Sequence, residues 1–194
     1  MTDFWKNKVN VHLEPFVTDS FVCWRKQGIP DFSCAIHSLG LSLWAGLGNV
    51  LGMVGVTELP ALGSKIGNGI TGEVLSDVIW FQKDDFQPLA LLEFERYSGE
   101  VDQSKLMEKT RNLLLAFHRW EKRPEALLLI FWTKGLMNLP DLKRLESIVR
   151  NGFSIAGGEW IPGDGKVEFL CWQFILREGT KGLWQLREML ERRG

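Results

Sequence analysis

SDVIWFQKDDFQPLALLEFERYSGEVDQSKLMEK, residues 76–109 of this 194-residue chain, is the stretch that decides the fold. Two runs rich in β-forming residues, 74–82 and 89–97, flank the turn Lys83-Asp84-Asp85, which predicts a β-hairpin. A long amphipathic helix is expected next, over 103–120, because its apolar residues recur with helical spacing. The centre of the chain is therefore expected to run strand, turn, strand, helix.

The residues before this stretch predict an arm, a helix, a strand and a loop. Residues 1–30 mix charged and aromatic side chains and are expected to form an N-terminal arm with one or two short elements. Asp31 is expected to cap a helix that runs over 33–47. A strand is expected over 52–59, and the glycine-rich segment 63–72 is the clearest loop in the sequence.

The residues after the central helix predict further strands and helices. The run ALLLIFWT at 126–133 is apolar throughout, as in a strand covered on both faces. A helix is expected over 140–151, and strands are expected over 155–162 and 167–176. The charged segment 181–193 is expected to form a C-terminal helix.

The order of these elements predicts the fold class. Alternating elements of these lengths favour a single α/β domain over residues 31–194, with a mixed central sheet and helices on both faces. The nine tryptophans argue against disorder, because they bury large areas in a core or at a partner interface. We therefore expect one folded α/β domain preceded by the arm.

Charge and hydropathy limit the partners and the compartment. The net charge is −1, so DNA binding would have to come from a local basic patch. The longest apolar stretch, 39–56, is interrupted by five glycines and is interpreted as a buried helix followed by a strand. No signal peptide is recognisable at the N-terminus. We expect a cytoplasmic protein with no membrane partner.

The three cysteines predict neither a disulfide framework nor a zinc site. Cys23, Cys34 and Cys171 are odd in number, widely spaced and set among apolar residues. They form no pair and no Cys/His cluster with the spacing of zinc ligands. We interpret them as the buried, reduced thiols of a cytoplasmic protein.

Two acidic residues end the second hairpin strand on one of its faces. Alternate residues of a strand face opposite sides, so Glu93 and Glu95 project together from an otherwise apolar strand. Asp77 opens the preceding strand, and its carboxylate is expected to approach Glu93 across the hairpin. Clustered carboxylates repel unless cations compensate them, and hard oxygen ligands suit Mg²⁺ or Mn²⁺. These residues predict a divalent-metal site.

The helix that follows offers positive charge to the same site. Lys105 and Lys109 lie one turn apart and therefore share a face. Phosphoryl transfer needs a cation near the developing charge as well as a metal that polarises the phosphate. Lysines and carboxylates in this order indicate phosphodiester chemistry.

An Asp that opens a strand, an apolar strand that ends in Glu-x-acid, and a following helix resemble the PD-(D/E)XK nuclease superfamily. The resemblance covers roughly residues 31–133 and implies a restriction-endonuclease-like αβββαβ core. It implies that Asp77 and Glu93 bind the metal ion and that the backbone carbonyl of Phe94 is a further ligand. Glu95 would bind the metal or its water.

The sequence departs from the pattern of this superfamily at two positions. Ser76 stands where proline is frequent, and Glu95 stands where the catalytic lysine usually lies. Some members move that lysine to the following helix, which makes Lys109 or Lys105 the candidate.

A weaker resemblance concerns the nuclease-like domain of replication-relaxation proteins from mobile elements. Their motif is similarly Glu-x-acid-Arg followed by a helix with a lysine, as at residues 93–96 here. A further acid often completes the site of the nuclease superfamily. Glu58 is the best-placed match, with Glu73 behind it.

These observations predict a metal-dependent nuclease that uses Mg²⁺ or Mn²⁺ to hydrolyse DNA, which is favoured over RNA as the substrate. The alternative is a nuclease-derived module without catalysis, which binds DNA or protein in a restriction, transposition or plasmid-transfer complex. A third interpretation makes Glu93 and Glu95 a solvated strand end that pairs with Lys105 or Arg96. A homodimer or a protein complex is an expected assembly.

Overall fold

The structure is a computed structural model that describes residues 3–61, 73–135, 138–155 and 158–194. The loop predicted over 63–72 lies outside these described residues. In chain order, the helices and strands are α1 (Phe4–Ser20), α2 (Ser33–Val50), β1 (Val54–Pro60), β2 (Leu75–Phe81), β3 (Pro88–Arg96), α3 (Gln103–Arg119), β4 (Ala126–Lys134), α4 (Leu142–Asn151), β5 (Gly152–Ser154), β6 (Trp160–Pro162), β7 (Glu168–Glu178) and β8 (Trp184–Arg192). A π-helical turn at Cys23–Gln27 follows α1.

A mixed sheet holds six of these strands in the order β1-β2-β3-β4-β7-β8. β1, β2 and β3 are antiparallel neighbours, β3, β4 and β7 run parallel, and β8 returns antiparallel to β7. The predicted hairpin is confirmed by pairs such as Val78 with Leu92. α3 makes the crossover between β3 and β4, because parallel neighbours cannot be joined by a tight turn. The predicted α/β class with a mixed sheet is confirmed.

Two apolar layers cover the two faces of this sheet. α1 and α2 pack on one face, where the ring of Trp44 lies 6.1 Å from that of Trp80 and 5.8 Å from that of Trp172. α3 and α4 pack on the other face, where Leu114 and Val149 are fully buried. Core packing accounts for five fully buried tryptophans, namely Trp24, Trp44, Trp80, Trp132 and Trp172.

Two glycines allow α2 to lie close to the sheet. A Cβ atom added at Gly48 would stand 2.5 Å from Cδ1 of Trp80, and one added at Gly40 would overlap the ring of Phe94. The two glycines are about two helical turns apart and therefore face the sheet together. Glycines that interrupt the apolar segment thus serve helix–sheet contact.

The apolar segment 39–56 forms the later part of α2 and the start of β1, as interpreted from the sequence. α2 buries Leu43, Trp44 and Leu47 against the sheet. Within the described ranges, no helix combines the length and the apolar character that crossing a membrane requires.

The N-terminal residues form a longer element than predicted. α1 spans 17 residues instead of one or two short elements. It buries one residue in each turn, namely Trp5, Val9, Leu13 and Val17. These four side chains join the same core cluster as α2, so burial of this face stabilises a helix that local sequence signals do not reveal.

The predicted cap of α2 is wrong. Phe32 occupies the N-cap position with an extended backbone, and no side chain caps the helix there. Asp31 instead forms an ion pair with Lys134 at the end of β4. A long-range ion pair therefore replaces the local bond that the sequence favours.

The predicted C-terminal helix over 181–193 is also wrong, because Trp184–Arg192 forms strand β8. Pairing with β7 overrides the helical preference of the segment. The guanidinium of Arg25 donates hydrogen bonds to the carbonyls of Leu186 and Arg187, so it covers part of the outer edge of β8. Charged residues are common on edge strands, where they discourage pairing with other chains.

Two smaller expectations also need correction. Cys171 is buried, but Cys23 and Cys34 are exposed, because they lie in surface turns at the π-helical turn and at the start of α2. Of the strand predicted over 155–162, the structure has only β6 at its end, which pairs with β5 in a separate two-stranded sheet. Residues 156–157 lie outside the described part.

Candidate active site

The expected site residues meet beneath α3, at the end of the sheet where β2 begins and β3 finishes. The beginning of β2 and the end of β3 lie side by side there, because the two strands are antiparallel. Asp77 comes from β2, Glu93 and Glu95 from β3, and Lys105 and Lys109 from α3. We call these five residues the acid–lysine site.

Asp77 is held by the backbone of the neighbouring strand. The regular pairing of β2 with β3 extends to Val78 and Leu92. Beyond it, the amide of Phe94 donates a 2.8 Å hydrogen bond to Oδ2 of Asp77. The other carboxylate oxygen, Oδ1, lies 3.5 Å from Nζ of Lys109. The Asp77 side chain therefore takes the place of a backbone acceptor beyond the last β2–β3 pair, and its Oδ1 remains close to Lys109.

Glu93 is the most deeply buried charged residue of the site, with no exposed surface. Its Oε2 accepts a 2.7 Å hydrogen bond from Nζ of Lys109. Its Oε1 is buried and has no hydrogen-bond partner among the described residues. Burial first, and then the neighbouring charge of Asp77, raise the pKa of Glu93 well above its ordinary value despite the opposing effect of Lys109. This carboxylate therefore has unmet capacity for a proton or a cation.

Lys109 lies between two carboxylates. Burial alone would lower the pKa of its ammonium group, but attraction to Glu93 and then to Asp77 outweighs burial and raises the pKa above its ordinary value. The side chain is 23% exposed, so it is enclosed without being fully buried. Lys109 is therefore a charged group that the site binds firmly.

Glu95 and Lys105 form a second pair closer to solvent. Nζ of Lys105 lies 2.7 Å from Oε1 of Glu95, which also accepts a 2.7 Å hydrogen bond from the amide of Arg96. The Lys105 side chain is 51% exposed, whereas that of Glu95 is 10% exposed. The site thus has an inner pair, Glu93 with Lys109, and an outer pair, Glu95 with Lys105.

The two pairs match because α3 runs antiparallel to β3 above it. Two residues along a strand advance about 6.8 Å, and one turn of four residues along a helix advances about 6 Å. Glu93 and Glu95 therefore lie opposite Lys109 and Lys105 in turn. The two acids are two residues apart and the two lysines are four residues apart, which are the spacings that place each lysine opposite one acid.

The remaining expected ligands lie around this core. Glu58 lies in β1 opposite Asp77, because its neighbours Thr57 and Leu59 pair with Val78 and Ser76. Its side chain is exposed, and its backbone has a positive φ of 53°. Glu73 is exposed just before β2. Phe94 directs its ring to the opposite face of the sheet, against Phe174. Glu58 and Glu73 are therefore peripheral to the inner pair.

A buried polar network lies on the same face and was not singled out from the sequence. Gln173 of β7 donates a 3.0 Å hydrogen bond to Thr133 of β4 and accepts bonds from Arg192 of β8. The register places Gln173 in one row with Glu95, two strands or about 10 Å away. A glutamine inside the apolar run FLCWQFIL was the available signal. The contact of Arg192 with Gln173 could not be predicted, because the segment of Arg192 was predicted as a helix.

The donor atoms suit a divalent metal ion, but their arrangement differs from expectation. Among residues 3–61, 73–135, 138–155 and 158–194, no three His, Cys, Asp or Glu side chains converge as a group that could hold a metal. Asp77 and Glu93 converge on Lys109, whereas Glu95 turns to Lys105. The unpartnered Oε1 of Glu93 and the oxygens of Asp77 are hard donors of the kind that Mg²⁺ and Mn²⁺ prefer.

Comparison of the chain with protein-family models, with curated proteins and with solved structures found no match in any of the three.

Proposed function

We propose that this protein is a metal-dependent nuclease that hydrolyses phosphodiester bonds of DNA with Mg²⁺ or Mn²⁺. The observation that carries the proposal is the pair of neighbouring carboxylates, Asp77 and Glu93, where β2 begins and β3 ends. Glu93 is fully buried there, and one of its oxygens has no partner in the ranges that the structure describes. Glutamates are almost never fully buried unless they are paired, as Glu93 is with Lys109, and buried acids with a strongly shifted pKa are frequent at functional sites.

The order of elements gives independent support. Helix α2, strands β1, β2 and β3, helix α3 and strand β4 follow the αβββαβ order of the PD-(D/E)XK superfamily, which the sequence motif resembles. Asp77 opens β2, and Glu93 lies near the end of β3, as the motif of that superfamily requires. A restriction-endonuclease-like core is therefore part of the proposal.

Each residue of the acid–lysine site has a role in this proposal. Asp77 and Glu93 would hold the ion, which supplies Lewis-acid polarisation of the phosphate and makes a nearby water more acidic. The amide of Phe94 fixes the orientation of Asp77. Lys105, the more exposed lysine, offers its ammonium to the scissile phosphate, and Glu95 positions that lysine. In the reaction, water loses a proton to solvent and adds to phosphorus, the bond to the leaving sugar oxygen breaks, and that oxygen takes up a proton to leave as an alcohol.

The test is cleavage of plasmid and single-stranded DNA with Mn²⁺. Asp77→Asn and Glu93→Gln keep the shapes of the side chains and remove their charges. We expect each to lower the cleavage rate roughly 100-fold or more, the scale typical for loss of a group that stabilises transition-state charge. Glu188→Gln is the matched control, because Glu188 of β8 forms an exposed ion pair with Arg177 of β7. Equal cleavage by all four proteins, or none by folded wild type, would contradict the proposal.

A nuclease-derived module without catalysis is the second candidate. Each lysine of the site already pairs with an acid, and position 95 is Glu rather than Lys, which favours a site that no longer reacts. This candidate predicts no effect of Mn²⁺ on thermal stability but DNA binding that weakens steeply with salt. A Mn²⁺-dependent rise in Tm that Glu93→Gln abolishes would contradict it.

A further inference from the structure

Lys109 occupies the position between the two carboxylates that the proposed metal ion would share. Its Nζ lies 2.7 Å from Oε2 of Glu93 and 3.5 Å from Oδ1 of Asp77. These are the inner oxygens of the site, because the other oxygen of Asp77 is bonded to the amide of Phe94. Oε1 of Glu93 is buried and, within the described part of the chain, has no hydrogen-bond partner.

We infer that Lys109 is a resident counter-ion, which a divalent cation displaces from Asp77 and Glu93 when it binds. This inference rests on the proposed function. An ammonium group and a divalent cation repel each other strongly at the distances that a shared carboxylate imposes. Metal–oxygen bonds are also shorter than the present lysine contacts, so a metal ion and the ammonium cannot both occupy the position between Oε2 of Glu93 and Oδ1 of Asp77.

The structure offers the displaced ammonium a new partner. Glu95 is the next carboxylate on the same face of β3, and its charge already acts on Lys109. The flexible stem of lysine allows such a movement without a shift of α3. Lys105, which is half exposed, would then leave Glu95 and become available to a phosphate. Lys109 therefore acts through the acids, as a positioning residue, and Lys105 faces the substrate.

The first experiment uses the wild-type protein and a lysine-acetylating reagent. In the metal-free protein, Lys109 is enclosed between two acids and should react slowly. With Mn²⁺ present, we expect its acetylation, measured by mass spectrometry of peptides, to rise at least severalfold. The exposed Lys166, remote from the site, serves as the internal control and should not change. An unchanged Lys109, at Mn²⁺ concentrations that saturate binding, overturns the inference.

The second experiment measures Mn²⁺ affinity by calorimetry. Lys109→Met should bind Mn²⁺ roughly tenfold more tightly than wild type, the scale of one lost hydrogen bond to a charged group. Lys105→Met, the matched change one turn away, should stay within about threefold by the same reasoning. Glu93→Gln should abolish binding and shows that the signal comes from this site.

The outcomes separate the inference from the function on which it rests. Mn²⁺ binding by wild type with equal or weaker affinity in Lys109→Met overturns displacement and leaves the proposed nuclease standing. Mn²⁺ binding by Lys109→Met but not by wild type supports displacement and counts against a metal-dependent activity of the wild type. No binding by either folded protein overturns both. If Lys109→Met does not fold, acetylation of the wild type still decides.

Discussion

A carboxylate without exposed surface, such as that of Glu93, needs a proton or a cation inside the protein. Lys109 meets this need at one oxygen only, while Asp77 adds a second negative charge nearby. His118 is the contrasting case, since it is buried in α3 and its burial lowers its pKa. Single buried groups therefore set how this protein responds to cations and to protons.

His118 should make stability depend on pH. It is 3% exposed, and its Nε2 lies 2.7 Å from the carbonyl of Pro162. Burial first, aided by the charge of Lys122, lowers its pKa although the Pro162 bond and Asp164 act in the opposite direction. The unfolded chain therefore binds more protons below about pH 6.5, and stability is lost as pH falls through that range.

The measurement is urea unfolding of wild type and His118→Gln between pH 7.5 and 5. Other groups titrate in this range, so the difference between the two proteins isolates His118. We expect the free energy of unfolding of wild type to fall relative to the variant as pH decreases. A difference that is flat, or that grows in the other direction, would show that His118 does not titrate in this way.

At the scale of elements, close contact between α2 and the sheet depends on missing side chains. Gly48 leaves room for the ring of Trp80, whose Nε1 donates a 2.8 Å hydrogen bond to the carbonyl of Trp44. That bond joins strand β2 to helix α2 within the core. Helix, ring and backbone carbonyl therefore form one packed unit.

Gly48→Ala should destabilise this unit. Its new Cβ would stand 2.5 Å from Cδ1 and 2.6 Å from Nε1 of Trp80, so the ring or the helix must move. Overpacking of this kind costs about 1–3 kcal/mol. Chemical denaturation measures the loss, and Gly165→Ala is the control because no atom of the described residues lies within 4 Å of its added Cβ. Equal stability of both variants would refute the role of Gly48.

The elements that could be predicted are those whose own sequence carries the signal. β2, β3 and α3 have regular apolar spacing, and the acids and lysines on them meet as their spacing requires. β8 could not be predicted, because its partner β7 decides its conformation. The same reason hid the contact between Arg192 and Gln173. Elements with local periodicity could be predicted from the sequence, whereas hydrogen bonds between distant segments could not.

At the scale of the whole molecule, two apolar layers share one sheet. Trp44, Trp80 and Trp172 belong to the layer of α1 and α2, whereas Leu114 belongs to the layer of α3 and α4. Strands such as β3 and β4 contribute alternate residues to both layers. Neither layer can separate from the sheet without exposing the other, so we expect unfolding to be a single transition.

Leu114→Ala tests this coupling. The fully buried side chain leaves a cavity, and such a change costs about 2–5 kcal/mol. We expect tryptophan fluorescence, which reports mainly on the opposite layer, and circular dichroism to shift to lower urea by the same amount. The two probes should give one midpoint in wild type as well. Separate midpoints in the variant would mean that the layers unfold independently.

The short connector between β3 and α3 constrains the length of the chain as well as its composition. Asp102 accepts a 2.6 Å hydrogen bond from the amide of Ser98, and Gly99 turns the backbone with a φ of 122°. Each residue added there would rotate α3 by about 100° about its axis, because a turn holds 3.6 residues. One insertion would carry both lysines away from the acids, although no site residue had changed. Related chains should therefore keep the length of this connector, whichever residues they carry at the positions other than Gly99 and Asp102.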